Sequence, residues 1–184
     1  VTPQPSQIDF ENRLAVAMLK ARHLNSGPVY LEDESRLVGR CALPESLKER
    51  MARSPLLILE QPMEERIGII REDYVEGMYS DYVDRDGAEA GWLNFRDYLL
   101  SAIDRIRKRL GGERHQQLRG LMDQALLQQE ATGETAAHNA WIQSLLQDYY
   151  DPMYDYQLGK KEGRILVRGG PKTILDWANK SSVA

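Results

Sequence analysis

Two short apolar runs, Val29-Tyr30-Leu31 and Leu56-Leu57-Ile58-Leu59, constrain this chain more than any other feature. Neither alternates with polar residues, so a strand built from either would have to be covered on both faces. That is how strands in a buried parallel sheet read. The runs lie about 27 residues apart, room for one crossover helix, as in a βαβ unit. The intervening helix opens at Pro44, carries Leu47 and Met51 inward, and stops at Ser54-Pro55.

The surrounding segments fill in an α/β chain. Pro3 and Pro5 make the start extended, and Ser6 with Asp9 reads as a capping box. Phe10, Leu14, Ala17, Met18 and Ala21 follow at helical spacing, and Asn25-Ser26-Gly27-Pro28 ends that helix. Ile67, Ile70, Tyr74 and Met78 lie on one face of a third helix, and residues 80–91, acidic and glycine-bearing, read as a loop. Three helical stripes follow: Phe95 to Leu110, Leu118 to Leu126, and Ala137 to Tyr149, the last ending near Asp151-Pro152. The chain closes on Ile165-Leu166-Val167, the turn Gly169-Gly170-Pro171 and a short helix with Ile174, Leu175 and Trp177. We therefore place an α/β portion at 1–90, a helical insertion at 91–158 and a closing β-α element at 159–184.

Length and composition exclude several classes. At 184 residues with 42% hydrophobic side chains, the chain can bury a core and is not wholly disordered. No apolar run approaches a membrane span, and the N-terminus lacks the pattern of a secretory signal. One cysteine, Cys41, excludes an internal disulfide framework and a multi-thiolate zinc site. It reads as a small buried apolar residue. A reducing cytoplasm is the expected compartment. His23, His115 and His138 have no metal-ligand spacing. The net charge of −4 argues weakly against nucleic acid, but it is unevenly spread. Residues 96–119 hold seven basic against three acidic side chains, and 159–184 hold six against two, each net +4. Clustered cations of this kind suit a phosphate backbone, with a solvated helix face as the plainer reading.

Glu32 and Asp33 follow the first apolar run. Carboxylates at the C-terminal edge of a parallel sheet face the crevice where ligands bind, and there they hold Mg²⁺ through water. The plainer reading is a pair of surface carboxylates. The glycine loop of phosphate-binding proteins is missing. Its nearest candidate, Gly169-Gly170-Pro171-Lys172-Thr173, has Pro171 before the lysine and Leu166 at the first glycine position. Proline brings no N–H to a phosphate cradle, so the segment reads as a strand-to-helix turn. The expectation is a chain that is not a phosphate-binding enzyme or one lacking its first strand and loop.

Several segments carry a resemblance. They are Pro3-Gln4-Pro5-Ser6-Gln7 with Phe10-Glu11-Asn12, Glu32-Asp33-Glu34-Ser35-Arg36 with Gly39-Arg40, and Leu59-Glu60-Gln61-Pro62-Met63-Glu64-Glu65-Arg66-Ile67. Tyr149-Tyr150-Asp151-Pro152-Met153-Tyr154-Asp155-Tyr156-Gln157-Leu158 and Val167-Arg168-Gly169 complete the set. In this order and over nearly the whole chain, they resemble the tRNA 2-selenouridine synthases, whose C-terminal domain is of the P-loop type. The resemblance implies a partial P-loop NTPase-like parallel sheet with a helical insertion. It also implies a transferase that replaces sulfur by selenium at a wobble 2-thiouridine of tRNA. A geranylated intermediate made from geranyl diphosphate precedes displacement by selenophosphate. The family's rhodanese-like domain with its catalytic cysteine and the glycine loop have no counterpart here, and Cys41 is not equated with that cysteine.

Under this resemblance Glu32 and Asp33 are candidate Mg²⁺ ligands. Ser35, Arg36 and Arg40 are candidates for a phosphate or diphosphate, because guanidinium forks fit phosphate oxygens. The alternative for the arginines is an ion pair with a nearby glutamate, and for Ser35 a cap. Arg105, Lys108, Arg109, Lys160, Lys161 and Arg164 are candidates for the tRNA backbone. Tyr150 and Tyr154, with Tyr149 and Tyr156, could stack on unpaired bases, line a slot for a geranyl chain, or pack with satisfied hydroxyls. A selenophosphate-producing enzyme is an implied partner. Two rivals stand beside this reading: a small-molecule kinase, which would bind ATP without tRNA, and a helical adaptor with exposed apolar stripes.

Overall fold

A computed structural model describes residues 4–24, 27–33 and 36–181. The helices arise where apolar side chains recur every three or four positions, and glycine and proline mark most of their ends. Two units are distinguished by internal packing, Gln61–Lys161 and the described parts of Thr2–Glu60 with Glu162–Ala184. The helices of 61–90 group with the helical unit, whereas the sequence places them with the α/β portion.

The α/β unit begins with α1 (Gln7–Leu24), whose first turn is closed by Ser6 and Asp9. The Ser6 hydroxyl donates to Asp9 Oδ2 at 2.8 Å and accepts the Asp9 backbone N–H at 3.2 Å. A hairpin follows, β1 (Leu37–Val38) antiparallel to β2 (Cys41–Ala42). Then come α2 (Glu45–Arg53) and β3 (Leu56–Leu59). The run at 56–59 is a strand, as its composition requires. Its parallel partner, however, is β4 (Ile165–Gly169), in the register Leu57↔Val167, Ile58↔Arg168, Leu59↔Gly169. The expected strand at Val29-Tyr30-Leu31 is absent. Residues 28–33 are irregular, and these three side chains are each 46–49% exposed. A strand is held by a hydrogen-bonded neighbour, and among the described residues neither β3 nor β4 pairs with this run. Gly169 passes the chain through Gly170 into α10 (Pro171–Ser181), with Pro171 in the first turn, so the turn reading of this segment holds.

The helical unit is built on two long, locally widened helices. The first runs from α3 (Met63–Arg71) through a π-helical stretch, Glu72–Gly77, into α4 (Met78–Asp86). Only Gly87, at φ 82°, breaks the chain before α5 (Ala88–Arg105), so the expected loop at 80–91 is two helices and one glycine. The acidic side chains Asp81 and Asp84 point to solvent, while Tyr79, Tyr82 and Val83 turn inward. Gly91 lets α4 and α5 approach closely, because a Cβ there would lie 2.7 Å from the Tyr82 carbonyl oxygen. Next come α6 (Arg107–Leu110), α7 (Gly112–Thr132) and α8 (Asn139–Leu145). A second π-helical stretch, Leu146–Tyr150, carries α8 into α9 (Asp151–Gly159). The helix thus continues through Asp151-Pro152 rather than ending there. Proline has no N–H and crowds the carbonyl four residues back, and the widened turn before it absorbs that misfit. Val75, Phe95, Leu118 and Ile142 form the centre of the core, with Trp141 buried as expected.

Candidate nucleic-acid interface

The two π-helical stretches carry three of the tyrosines of this face. Tyr74 sits on the first, and Tyr149 and Tyr150 sit on the second, with Tyr154 one turn on. Tyr149 and Tyr150 pack edge to face at 4.9 Å, and Tyr150 lies nearly parallel to Tyr154, with ring centres 6.2 Å apart. Tyr82 and Tyr98 form a further pair at 5.8 Å.

The phenols sense one another. The Tyr150 pKa is raised, first by burial and then by Tyr149, Tyr154 and Tyr74, with Arg109 pulling it the other way. The Tyr98 pKa is raised by burial and by Tyr74 and Tyr82, with Arg105 opposing. Tyr74 is therefore close to both groups and joins them into one field, bordered by Arg105 and Arg109. Tyr74 and Tyr154 are 53% and 51% exposed, so two of these rings are open to a ligand.

Arg66 and Asp151 brace this face. The guanidinium donates to both carboxylate oxygens, Nη1 to Oδ2 at 3.1 Å and Nη2 to Oδ1 at 2.5 Å, and ties α3 to the first turn of α9. Each side chain is about 30% exposed, so the fork is partly shielded from water and its geometry is bidentate.

The remaining expected residues fall in several places. Lys108 is exposed near Arg105 and Arg109. Lys160 lies in the helical unit with its ammonium 4.1 Å from the Tyr156 ring centre. Lys161 is half-buried in the same unit. Arg164 belongs to the α/β unit, where its guanidinium donates to the carbonyls of Met51 and Ala52 at the C-terminal end of α2. That end of a helix carries unsatisfied carbonyls and partial negative charge, so Arg164 has a structural task.

In the α/β unit, Arg36 is exposed just before β1 and Arg40 is exposed in the β1–β2 turn. The Gln4 amide grips this hairpin, Nε2 donating to the Val38 carbonyl at 2.5 Å and Oε1 accepting the Arg40 N–H at 2.9 Å. Gln7 holds Ala42 in the same two-handed way, at 2.9 and 2.8 Å. Gly39 is needed beneath Gln4: its φ is +61°, and a Cβ would lie 2.3 Å from the Gln4 amide nitrogen. Ser35 lies outside the described residues. Glu32 and Asp33 are exposed on an irregular segment, and among the described residues no three metal-ligating side chains come together. Cys41 is buried, as expected, against the Pro5 carbonyl.

Sequence reasoning missed Tyr74, Tyr82 and Tyr98 as members of the aromatic field. Tyr74 was legible as a helix-face residue, but its proximity to Tyr150 depends on tertiary packing, which leaves no signal in residue spacing.

The geometry defines a class: an α/β protein with a small parallel sheet and a helical unit bearing an aromatic, arginine-bordered face. The model of the tRNA 2-selenouridine synthase AAA domain family matches residues 1–184, and the chain belongs to that family. It is 75% identical over 178 residues to a tRNA 2-selenouridine synthase of Marinobacter nauticus, covering 97% of this chain and 48% of that protein. A protein of the same name from Shewanella oneidensis is 46% identical, covering 99% of this chain and 48% of its own length. Another from Aeromonas salmonicida is 47% identical, covering 95% and 47% respectively. The chain thus spans about half the length of the curated relatives it matches. No solved structure matches it. Among the described residues, no helix is long and apolar enough to cross a membrane.

Proposed function

We propose that this chain is the C-terminal, P-loop-like part of a cytoplasmic tRNA-modifying transferase that replaces sulfur by selenium in wobble 2-thiouridine. The match to the family over the whole chain, with relatives named for that synthase, carries the reading. The route runs through a sulfur geranylated from geranyl diphosphate and then displaced by selenophosphate, which a separate selenophosphate-producing enzyme supplies. The parallel β3–β4 pair, with the helical unit as its crossover, is compatible with part of a P-loop-like sheet.

Within this reading the helical unit holds tRNA. Arg105, Lys108 and Arg109, with Lys160 and Lys161, neutralise backbone phosphates, and Tyr150 and Tyr154, with Tyr74, stack on unpaired anticodon-loop bases. Arg36 and Arg40 take the phosphate groups of selenophosphate or geranyl diphosphate.

The test is tRNA binding by the full-length protein across a salt series. Affinity falls steeply with salt, and replacing Arg105 and Arg109 by Gln lowers the slope of log K against log salt by about one for each contact removed. Replacing Tyr154 by Ala weakens binding by about 1–3 kcal/mol without changing that slope. Binding that does not depend on salt, or a slope unchanged in the double variant, would refute this placement.

A further inference from the structure

The α/β unit has almost no core of its own. Among the described residues, every buried apolar side chain except Cys41 and Leu56 belongs to the helical unit. The 18 residues of α1 include none that is buried, and Leu19 and Leu24 of that helix are exposed. Leu175 of α10 is exposed as well, and Leu59 of β3 and Leu166 of β4 are each 54% exposed. A domain that folds by itself owns a hydrophobic core, and parallel strands are ordinarily covered on both faces. The apolar surface of this unit is therefore one that calls for a cover.

The sheet is open at its edge too. Among the described residues β3 and β4 pair only with each other. The Glu60 N–H donates to the Gly169 carbonyl. Peptide groups along a strand face its two sides alternately, so the N–H groups of Leu57 and Leu59 point away from β4. Neither makes a hydrogen bond among the described residues. Such an edge is a template for a further strand. Two facts select the occupant. This chain covers only 48%, 48% and 47% of three relatives, which therefore hold about as much chain again. A second copy meeting the same edge across a two-fold axis would pair antiparallel, whereas β3, apolar on both faces, suits a parallel neighbour like the one it already has.

We propose that, in the full-length protein, a segment outside these 184 residues adds a parallel strand along the open edge of β3 and covers the apolar surface around Leu59 and Leu166. The α/β unit is completed by the rest of its own polypeptide, so the two parts of the full-length protein fold as one body there. The proposal rests on the reading of this chain as part of a longer protein and not on where tRNA binds, so the salt series above can fail without touching it.

The experiment puts photo-reactive benzoylphenylalanine in place of Leu59, and in a second protein in place of Leu166, of the full-length chain. After irradiation with and without tRNA, peptide mapping identifies what each ring has captured. The expected cross-link joins at least one position, within a single molecule, to a segment outside these 184 residues. In the unsubstituted full-length protein the Leu57 and Leu59 amides should exchange hydrogen at least about a hundredfold more slowly than in an unstructured peptide. That protection should not change with protein concentration or added tRNA. Cross-links confined to these 184 residues, made between molecules or made to tRNA would each overturn the proposal. So would the absence of any cross-link from both positions, or exchange of the Leu57 and Leu59 amides at the unstructured rate.

Discussion

The buried imidazole of His138 makes stability depend on pH in a calculable way. The side chain is completely buried, and burial pulls its pKa down from 6.5 to about 4. The hydrogen bonds explain why the charged form is excluded. Nδ1 already accepts the Trp141 indole N–H, so a proton placed on Nδ1 would oppose donor to donor. Because the folded pKa lies below the unfolded one, the unfolded chain takes up the proton first as pH falls. The stabilisation is complete above about pH 6.5 and is lost as pH falls toward about 4. Each pH unit inside that window costs about 1.4 kcal/mol, so going from pH 7 to pH 5 removes about 2 kcal/mol. Urea unfolding at the two pH values, followed by tryptophan fluorescence, measures this in the wild type and in His138→Gln, which cannot titrate. Other groups titrate equally in both proteins, so the difference isolates His138. The wild type should lose about 2 kcal/mol more than the variant. Equal losses would refute the neutral, doubly hydrogen-bonded imidazole.

Three further outcomes follow from contacts already described. Gly91→Ala drives a methyl group against backbone atoms of Tyr82 and Val83 that cannot rotate away. It should cost about 3 kcal/mol, read as a fall in Tm, and an unchanged Tm would refute the close α4–α5 approach. Arg66→Met and Asp151→Asn should each destabilise by about 1–2 kcal/mol, given a bidentate pair only partly shielded from water. Their double-mutant cycle should show a coupling of about 1 kcal/mol, and strictly additive effects would mean the pair is not formed. Gln4→Met should speed hydrogen exchange at the Arg40 amide about tenfold and leave Ala42, held by Gln7, unchanged. Equal exchange in both proteins would remove the grip on the hairpin.

How much of this was legible in the sequence depended on whether a feature is periodic. The stripes around Phe95, Leu118 and Trp141 gave buried helices because a 3.6-residue repeat needs no knowledge of the partner. Leu56 to Leu59 gave a strand for a similar local reason. Val29-Tyr30-Leu31 has the same apolar character but forms no strand, because strand pairing is a property of two segments and composition reports only one. The reading of 80–91 failed because acidic residues on the outer face of α4 masked Tyr79, Tyr82 and Val83, which hold the helical spacing. The aromatic face was half legible. Tyr150 and Tyr154 fall in one segment, whereas Tyr74 and Tyr98 join them only through tertiary packing.

The segments that carried the family resemblance prove to be one another's partners. Gln4 of the first grips Val38 and Arg40 at the end of the second. Glu60 of the third donates its backbone N–H to the Gly169 carbonyl of the last at 2.9 Å, and Arg168 approaches the Glu60 carboxylate at 3.6 Å. Arg66, also of the third, forks onto Asp151 of the tyrosine-rich segment. The Gln4, Arg168 and Arg66 contacts each match a particular side chain to a backbone group or carboxylate, which a generic apolar residue could not replace, whereas the Glu60–Gly169 bond is made by the backbone alone. Such residues look distinctive in isolation because their requirement lies tens of residues away. A short motif of this kind is evidence about a tertiary contact first. It becomes evidence about catalysis only where a side chain remains, as with Arg40 and Tyr154, that the fold leaves exposed to a ligand.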